Sequence, residues 1–176
     1  MRSTPDQPGH VVPSFAEIYS GVHIMPSQSL THSNQQLTYA AAAIAVEAAV
    51  AKSREIGAPE CIAVVDAGGN LLAFARIEGA AVLARDPAIA KAATSASIGA
   101  PTGAIPFEFG ANLGLASRGG IANLGGGFPI VFRGVIVGAI GVGSGTTEQD
   151  VAVAEAGRDA VLAALGAAAS DRVRAS

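Results

Sequence analysis

Tryptophan is absent from this chain, cysteine occurs once, and only 14% of the 176 residues are charged. With six Phe and two Tyr besides, the core has to be built from Ala, Val, Ile and Leu, which suits helices packed closely on a sheet. One cysteine excludes an internal disulfide framework and fits a reducing compartment. Cys61 opens the run CIAVVD, so a buried strand thiol is expected there, not a nucleophile. No histidine follows His32, and His10, His23 and His32 lack ligand-like spacing. That removes a histidine-based zinc centre and a Ser/His/Asp arrangement from the main body of the chain. Carboxylate ligation by Asp66, Glu78, Glu108 or Asp150 would be unspecific, so no metal is expected.

The net charge is -3 and the basic residues are scattered, which argues against a nucleic-acid partner. No apolar run reaches the ~20 residues of a membrane span. The stretch 37–51 is interrupted by Glu47, and 128–142 contains Arg133 and three glycines. The first residues have no apolar core after their arginine, so no secretory signal is expected and the protein is expected in the cytoplasm.

Half of the residues are hydrophobic. So little charge leaves apolar surface to cover, and large exposed apolar patches are uncommon on monomers. Self-association is therefore expected.

The densest pattern is GGGFPIVFRGVIVGAIGVGSGTTEQD, from Gly125 to Asp150. Ile130 to Phe132, an Arg133-Gly134 turn and Val135 to Val137 predict a two-residue hairpin. The flanking glycines exceed what ordinary strands hold, so backbone or ligand must approach closely there. Their spacing matches neither a phosphate loop nor a dinucleotide fingerprint. Tight packing and a backbone-lined small-molecule site both remain open.

Elsewhere, residues 1–36 hold four of the nine prolines and all three histidines. They read as an irregular extension, with one helical turn around Ile18, Tyr19 and Val22. Thr38 caps a predicted Ala-rich helix running to Ile56, stopped by Gly57 and Pro59. Ile62–Val65 and Leu71–Ile77 make a second hairpin around Asp66–Asn70. A helix follows over 80–100, with a restart at Asp86-Pro87, and then an irregular stretch or short helix over 105–115. Thr146 or Thr147 caps a last helix to about Leu165, and a tail over 167–176 frays. Two hairpins among helices predict an α+β domain with an antiparallel sheet.

Charged residues in apolar company are the remaining candidates for chemistry. Arg76 and Glu78 end the second strand of the first hairpin, and Lys91 sits among alanines. A buried cation needs either a carboxylate partner, such as Glu78 for Lys91, or an anionic ligand.

The ordered segments AVVDAGGNLLAFARIEGA, IAKAATSAS and GGGFPIVFRGVIVGAIGVGSGTTEQDVAVAEAG resemble the GlcG/HbpS-like family, the haem-degrading or DUF336 domain. The resemblance spans about residues 37–166 and sets residues 1–36 and 167–176 outside the shared domain. It implies a profilin-like sandwich with helices on both sheet faces, assembled as a homo-oligomer from dimer to octamer, in a family whose members bind haem, cobalamin or iron. Arg76, Glu78, Gly79, Ala80 and Lys91 match its R-x-D/E-G-A and K-A motifs. Gly126, Gly127 and Pro129 match its glycine-glycine-x-proline, and Gly138, Gly141 and Asp150 its closing elements. The histidine that attaches haem in the first helix is missing, so haem would need Tyr39, His32 from the extension or another weak ligand.

Two functions follow as expectations. One is a binding protein for an organic anion, haem or a corrinoid-like compound, held by Arg76, Lys91, Gly125, Gly126, Gly127, Phe128 and Pro129. The other is a cofactor-free isomerase, lyase or hydrolase of a catabolic pathway, acting on a small acidic or aromatic metabolite. In it Glu78 serves as base, or Lys91 does, since burial favours the neutral amine.

Overall fold

The structure is a computed structural model that describes residues 30–174. The chain divides after Asn34, and every described helix and strand belongs to the unit that begins at Gln35. The helical turn expected around Ile18, Tyr19 and Val22 lies outside the described residues.

Helix α1 spans Tyr39–Glu55 and starts at Thr38, whose side chain accepts the Ala41 N–H. Strands β1 (Cys61–Asp66) and β2 (Leu71–Arg76) form the first hairpin. Its turn is organised by Asp66, whose Oδ1 accepts from the N–H groups of Gly68 and Asn70 at 2.8 and 2.9 Å. A 3-10 turn, Val82–Ala84, leads into α2 (Arg85–Ile98), so the helix expected over 80–100 begins within one residue of its expected restart at Asp86-Pro87. The stretch after it forms helix α3, Phe107–Ala116.

Strands β3 (Gly127–Phe132) and β4 (Val135–Gly143) make the second hairpin. Arg133 and Gly134 both adopt positive φ, 54° and 78°, as a mirror-image two-residue turn requires. Both strands are longer than the sequence suggested, because glycines that looked too numerous for a strand lie within one. Gly141 shows why: a Cβ there would run into the backbone of Ala88 and Ala92 in α2. Helix α4, Thr147–Arg174, opens with a reciprocal cap. The Gln149 N–H donates to Thr146 Oγ1 at 3.3 Å, and the Thr146 N–H donates to Gln149 Oε1 at 2.9 Å. It continues past the expected stop at Leu165, since Ala167, Ala168 and Ala169 favour helix.

The four strands pair antiparallel in the order β2-β1-β4-β3. Side chains alternate across a strand, so β1 feeds two cores. Ile62 and Val64 join Ala42, Ala45, Ala49, Val153 and Val161 on the α1/α4 side. Cys61, Ala63 and Val65 meet Ala84, Ala88, Ala92 and Ala96 on the other. This second core is almost all alanine, which brings α2 down onto the sheet. The α+β sandwich with helices on both faces is the expected fold.

Candidate functional site

Lys91 is carried into the interior by α2, on the turn between Ala88 and Ala92, and is buried. Its Nζ donates to Asp150 Oδ2 at 2.5 Å and to the Val142 carbonyl at 2.8 Å. Asp150 lies in the first turn of α4 and is buried as well. The carboxylate partner of Lys91 is therefore Asp150, and not Glu78, which sits exposed on the turn after β2.

Around this ion pair stand the glycines. A Cβ on Gly126, whose φ is +105°, would lie 2.7 Å from Asp150 Cβ and 3.4 Å from Lys91 Nζ. Gly127 backs onto the Lys91 carbonyl and onto Thr102, whose Oγ1 accepts the Gly127 N–H at 2.9 Å. Phe128 is buried under the guanidinium of Arg158, 4.8 Å from its ring centroid. Gly125 and Pro129 flank the same buried stretch. The glycine-rich segment and Lys91 come together, and the close approach they permit is of backbone to an internal ion pair.

Sequence reasoning passed over Glu60, which completes this cluster. It has no exposed surface. Glu60 Oε2 and Asp150 Oδ1 accept the same N–H, that of Gly145, at 2.8 and 3.1 Å. Burial first, and then the charge of Asp150, push the Glu60 carboxyl from 4.5 up to about 7. The signal in the sequence was an acid directly ahead of the apolar run CIAVV. Its partners only come near through the β1–β4 register, which sets Cys61 opposite Gly143.

Arg76 stands elsewhere. It ends edge strand β2, while the Gly125–Pro129 segment leads into the opposite edge strand, β3. Three strand spacings, about 14 Å, separate the two edges. Arg76 is exposed and makes no ion pair among the described residues. It lines a groove of about 430 Å³ with Phe74, Val82, Leu83, Arg85 and Asp86. Phe74 and Arg76, two residues apart, share a face of β2. Val82 and Leu83 are 74% and 84% exposed, apolar walls without cover among the described residues. Arg85 is engaged by Asp86 at 2.7 Å. Beneath, Cys61 pairs with Arg76 in the strand register. Burial raises the Cys61 thiol, with Arg76 opposing the shift, as suits the buried strand thiol expected there.

A second hollow, of about 460 Å³, lies by the start of α1 and is lined by Leu37, Thr38, Phe132, Arg133 and Leu165 among others. Its cation, Arg133, rests over the Phe132 ring at 5.2 Å. Among the described residues neither a carboxylate nor a ring engages Arg76. No group of three metal-ligating side chains occurs among the described residues, and none of the described helices is long and apolar enough to cross a membrane.

The fold defines a class, the small α+β sandwich in which four antiparallel strands lie between helices. Within that class the chain belongs to the HbpS-like family, described as haem-degrading protein HbpS-like, whose model matches residues 37–159. It is 38% identical over 128 residues to an uncharacterized 15.0 kDa protein of the dhaT-dhaS intergenic region of Citrobacter freundii, covering 70% of this chain and 90% of that one. It is 32% identical over 113 residues to the corrinoid adenosyltransferase PduO of the same organism, covering 61% of this chain but only 34% of the transferase. The crystal structure of Klebsiella pneumoniae ORFY superposes with a TM-score of 0.70 at 31% identity, over 76% of this chain and 96% of ORFY.

Proposed function

We propose that this protein is a homo-oligomeric binder of a small organic anion, which it holds in the Arg76 groove. The observation that carries this is a guanidinium at the rim of apolar walls, without an ion pair among the described residues. Its fork can grip a carboxylate bidentately, while Phe74, Val82 and Leu83 cover an apolar body. The exposure of Val82 and Leu83 favours a groove closed by ligand, by a second subunit or by both.

Relatives support the ligand class. The family is described by haem and the transferase by a corrinoid, both of them large ring systems with acidic or polar side groups. The groove suits the carboxylates of haem better than its iron. Among the described residues no His, Cys, Met or Tyr lines it, and the buried face of α1 offers Ala42, Ala45, Ala49 and Ser53. Tyr39 and His32 are exposed and are not among its lining residues. Acid–base turnover by Glu78 and Lys91 forms no part of this proposal, because the Lys91 ammonium is spent on Asp150 and Val142.

The test uses 1-anilinonaphthalene-8-sulfonate, an apolar ring system with one anionic group. Arg76→Gln should weaken its binding by about tenfold or more, the scale of one lost charge-assisted contact. Equal affinity in wild type and variant would reject the groove. Haemin forms the second arm, since a Soret shift with fixed stoichiometry would restore iron ligation to the protein.

A further inference from the structure

Glu60 is hydrogen-bonded to segments that adjoin both walls of the Arg76 groove. Its own carbonyl accepts the Ile77 N–H at 3.0 Å, next in sequence to Arg76. Its side chain accepts the Gly145 N–H, and Gly145 follows Ser144. Ser144 is held at φ 119°, a left-handed conformation rare for a side-chain-bearing residue. Ser144 Oγ accepts the Ala81 N–H at 2.9 Å, and Ala81 leads into the Val82–Leu83 wall.

The arrangement depends on charge. Asp150 from α4 and Lys91 from α2 face Glu60, and the Cys61 thiol is its neighbour in the chain. Lys91 is committed to Asp150, and Glu60 Oε1, also buried, has no hydrogen-bond partner among the described residues. A neutral Glu60 can lie beside the Asp150 carboxylate. Ionised, it attracts the Gly145 N–H more strongly, but burial and the repulsion of the Asp150 carboxylate on the same N–H outweigh that gain, with a single cation already engaged. Strained conformations such as that of Ser144 persist only while their surroundings hold them, so separation of the two carboxyls releases the loop.

We propose that Glu60 is a positioning residue for the groove: in its neutral form it fixes the Val82–Leu83 wall through Gly145, Ser144 and Ala81, and its ionisation loosens that wall and weakens anion binding. The second half rests on the proposed function of the groove. The first half does not, and the experiment separates them.

Amide resonances of the full chain are followed by NMR from about pH 5.5 to about pH 8.5, the range that brackets the Glu60 carboxyl near 7. Gly145, Ala81, Val82 and Leu83 should move together with one midpoint, and Glu60→Gln should hold them still. Ser144→Gly keeps the backbone angle and deletes the hydroxyl, so Gly145 should still titrate while residues 81–83 fall silent. Stationary Ala81, Val82 and Leu83 in the wild type, or unchanged titration of them in Ser144→Gly, would overturn the positioning role. In parallel, anilinonaphthalene sulfonate affinity should fall at least about fivefold between about pH 6 and about pH 8 in wild type and stay level in Glu60→Gln. Loss of binding in Arg76→Gln with a level wild-type profile overturns the coupling alone. Retained binding in Arg76→Gln overturns the groove as the anion site, and the amide titration still decides on Glu60.

Discussion

Glu60 and Asp150 share one hydrogen-bond donor: the Gly145 N–H is 2.8 Å from the first carboxyl and 3.1 Å from the second. Two buried acids on one donor, with a lysine already claimed by the second, make an electrostatic centre that folding has to accommodate.

Stability should therefore depend on pH through Glu60. Its carboxyl rises from 4.5 to about 7 on folding, so between those values the native chain keeps a proton that the unfolded chain has released. Its contribution is complete below 4.5 and is lost as pH climbs through about 7. The span amounts to about 3 kcal/mol at most. Urea midpoints of wild type should drop across this window relative to those of Glu60→Gln. Parallel curves for the two proteins would show that Glu60 does not titrate in this range.

Removing one partner of the Lys91–Asp150 pair should cost far more than removing both. Asp150→Ala strands a buried ammonium and is expected to lose about 3–5 kcal/mol, whereas the double replacement Lys91→Met with Asp150→Leu should lie much closer to wild type. Chemical denaturation of the three proteins measures this. A single variant as stable as the double would mean that Lys91 finds another counter-charge or water.

Glycine replacements should sort by surroundings. Gly126→Ala meets both a positive φ and the Asp150 side chain, and Gly141→Ala meets the α2 backbone. Each should lose about 1–3 kcal/mol or more. Gly166 lies in α4 with no atom near its added methyl, so Gly166→Ala should gain up to about 1 kcal/mol. Thermal melts read all three.

Helix α3 shows Phe107, Phe109 and Leu115 at 85%, 61% and 80% exposure. Such a patch is uncommon on a monomer. Sedimentation should give a multiple of the 17.3 kDa chain mass, and Phe107→Ser with Leu115→Ser should shift it downward. An unshifted mass would place the subunit contact elsewhere.

The fold was legible because its signals are local. Thr38 caps a helix, Arg133-Gly134 turns a hairpin, and Asp86-Pro87 marks a helix start. The site was legible only in part, because it is assembled across strands. Arg76 and Lys91 both stood out as cations in apolar company, yet one faces a groove and the other an internal carboxylate. Nothing within a few residues of either distinguishes them. The answer lies in strand order, which sets Gly143 and its neighbours beside Glu60 and leaves Arg76 on the outer strand. The glycines of β4 misled for a related reason, since Gly141 makes room for the α2 backbone and Gly138 for the Leu37 side chain and the Val65 carbonyl.

That alanine-to-glycine contact between α2 and the sheet also decides where variation can occur. A surface already closed to a single methyl offers no room for diversification by growth. The rim at Val82 and Leu83, with its side chains exposed, can change size or polarity at little expense to folding. Ligand preference among such chains should accordingly be written at the rim, while the seating of α2 on the sheet stays constant.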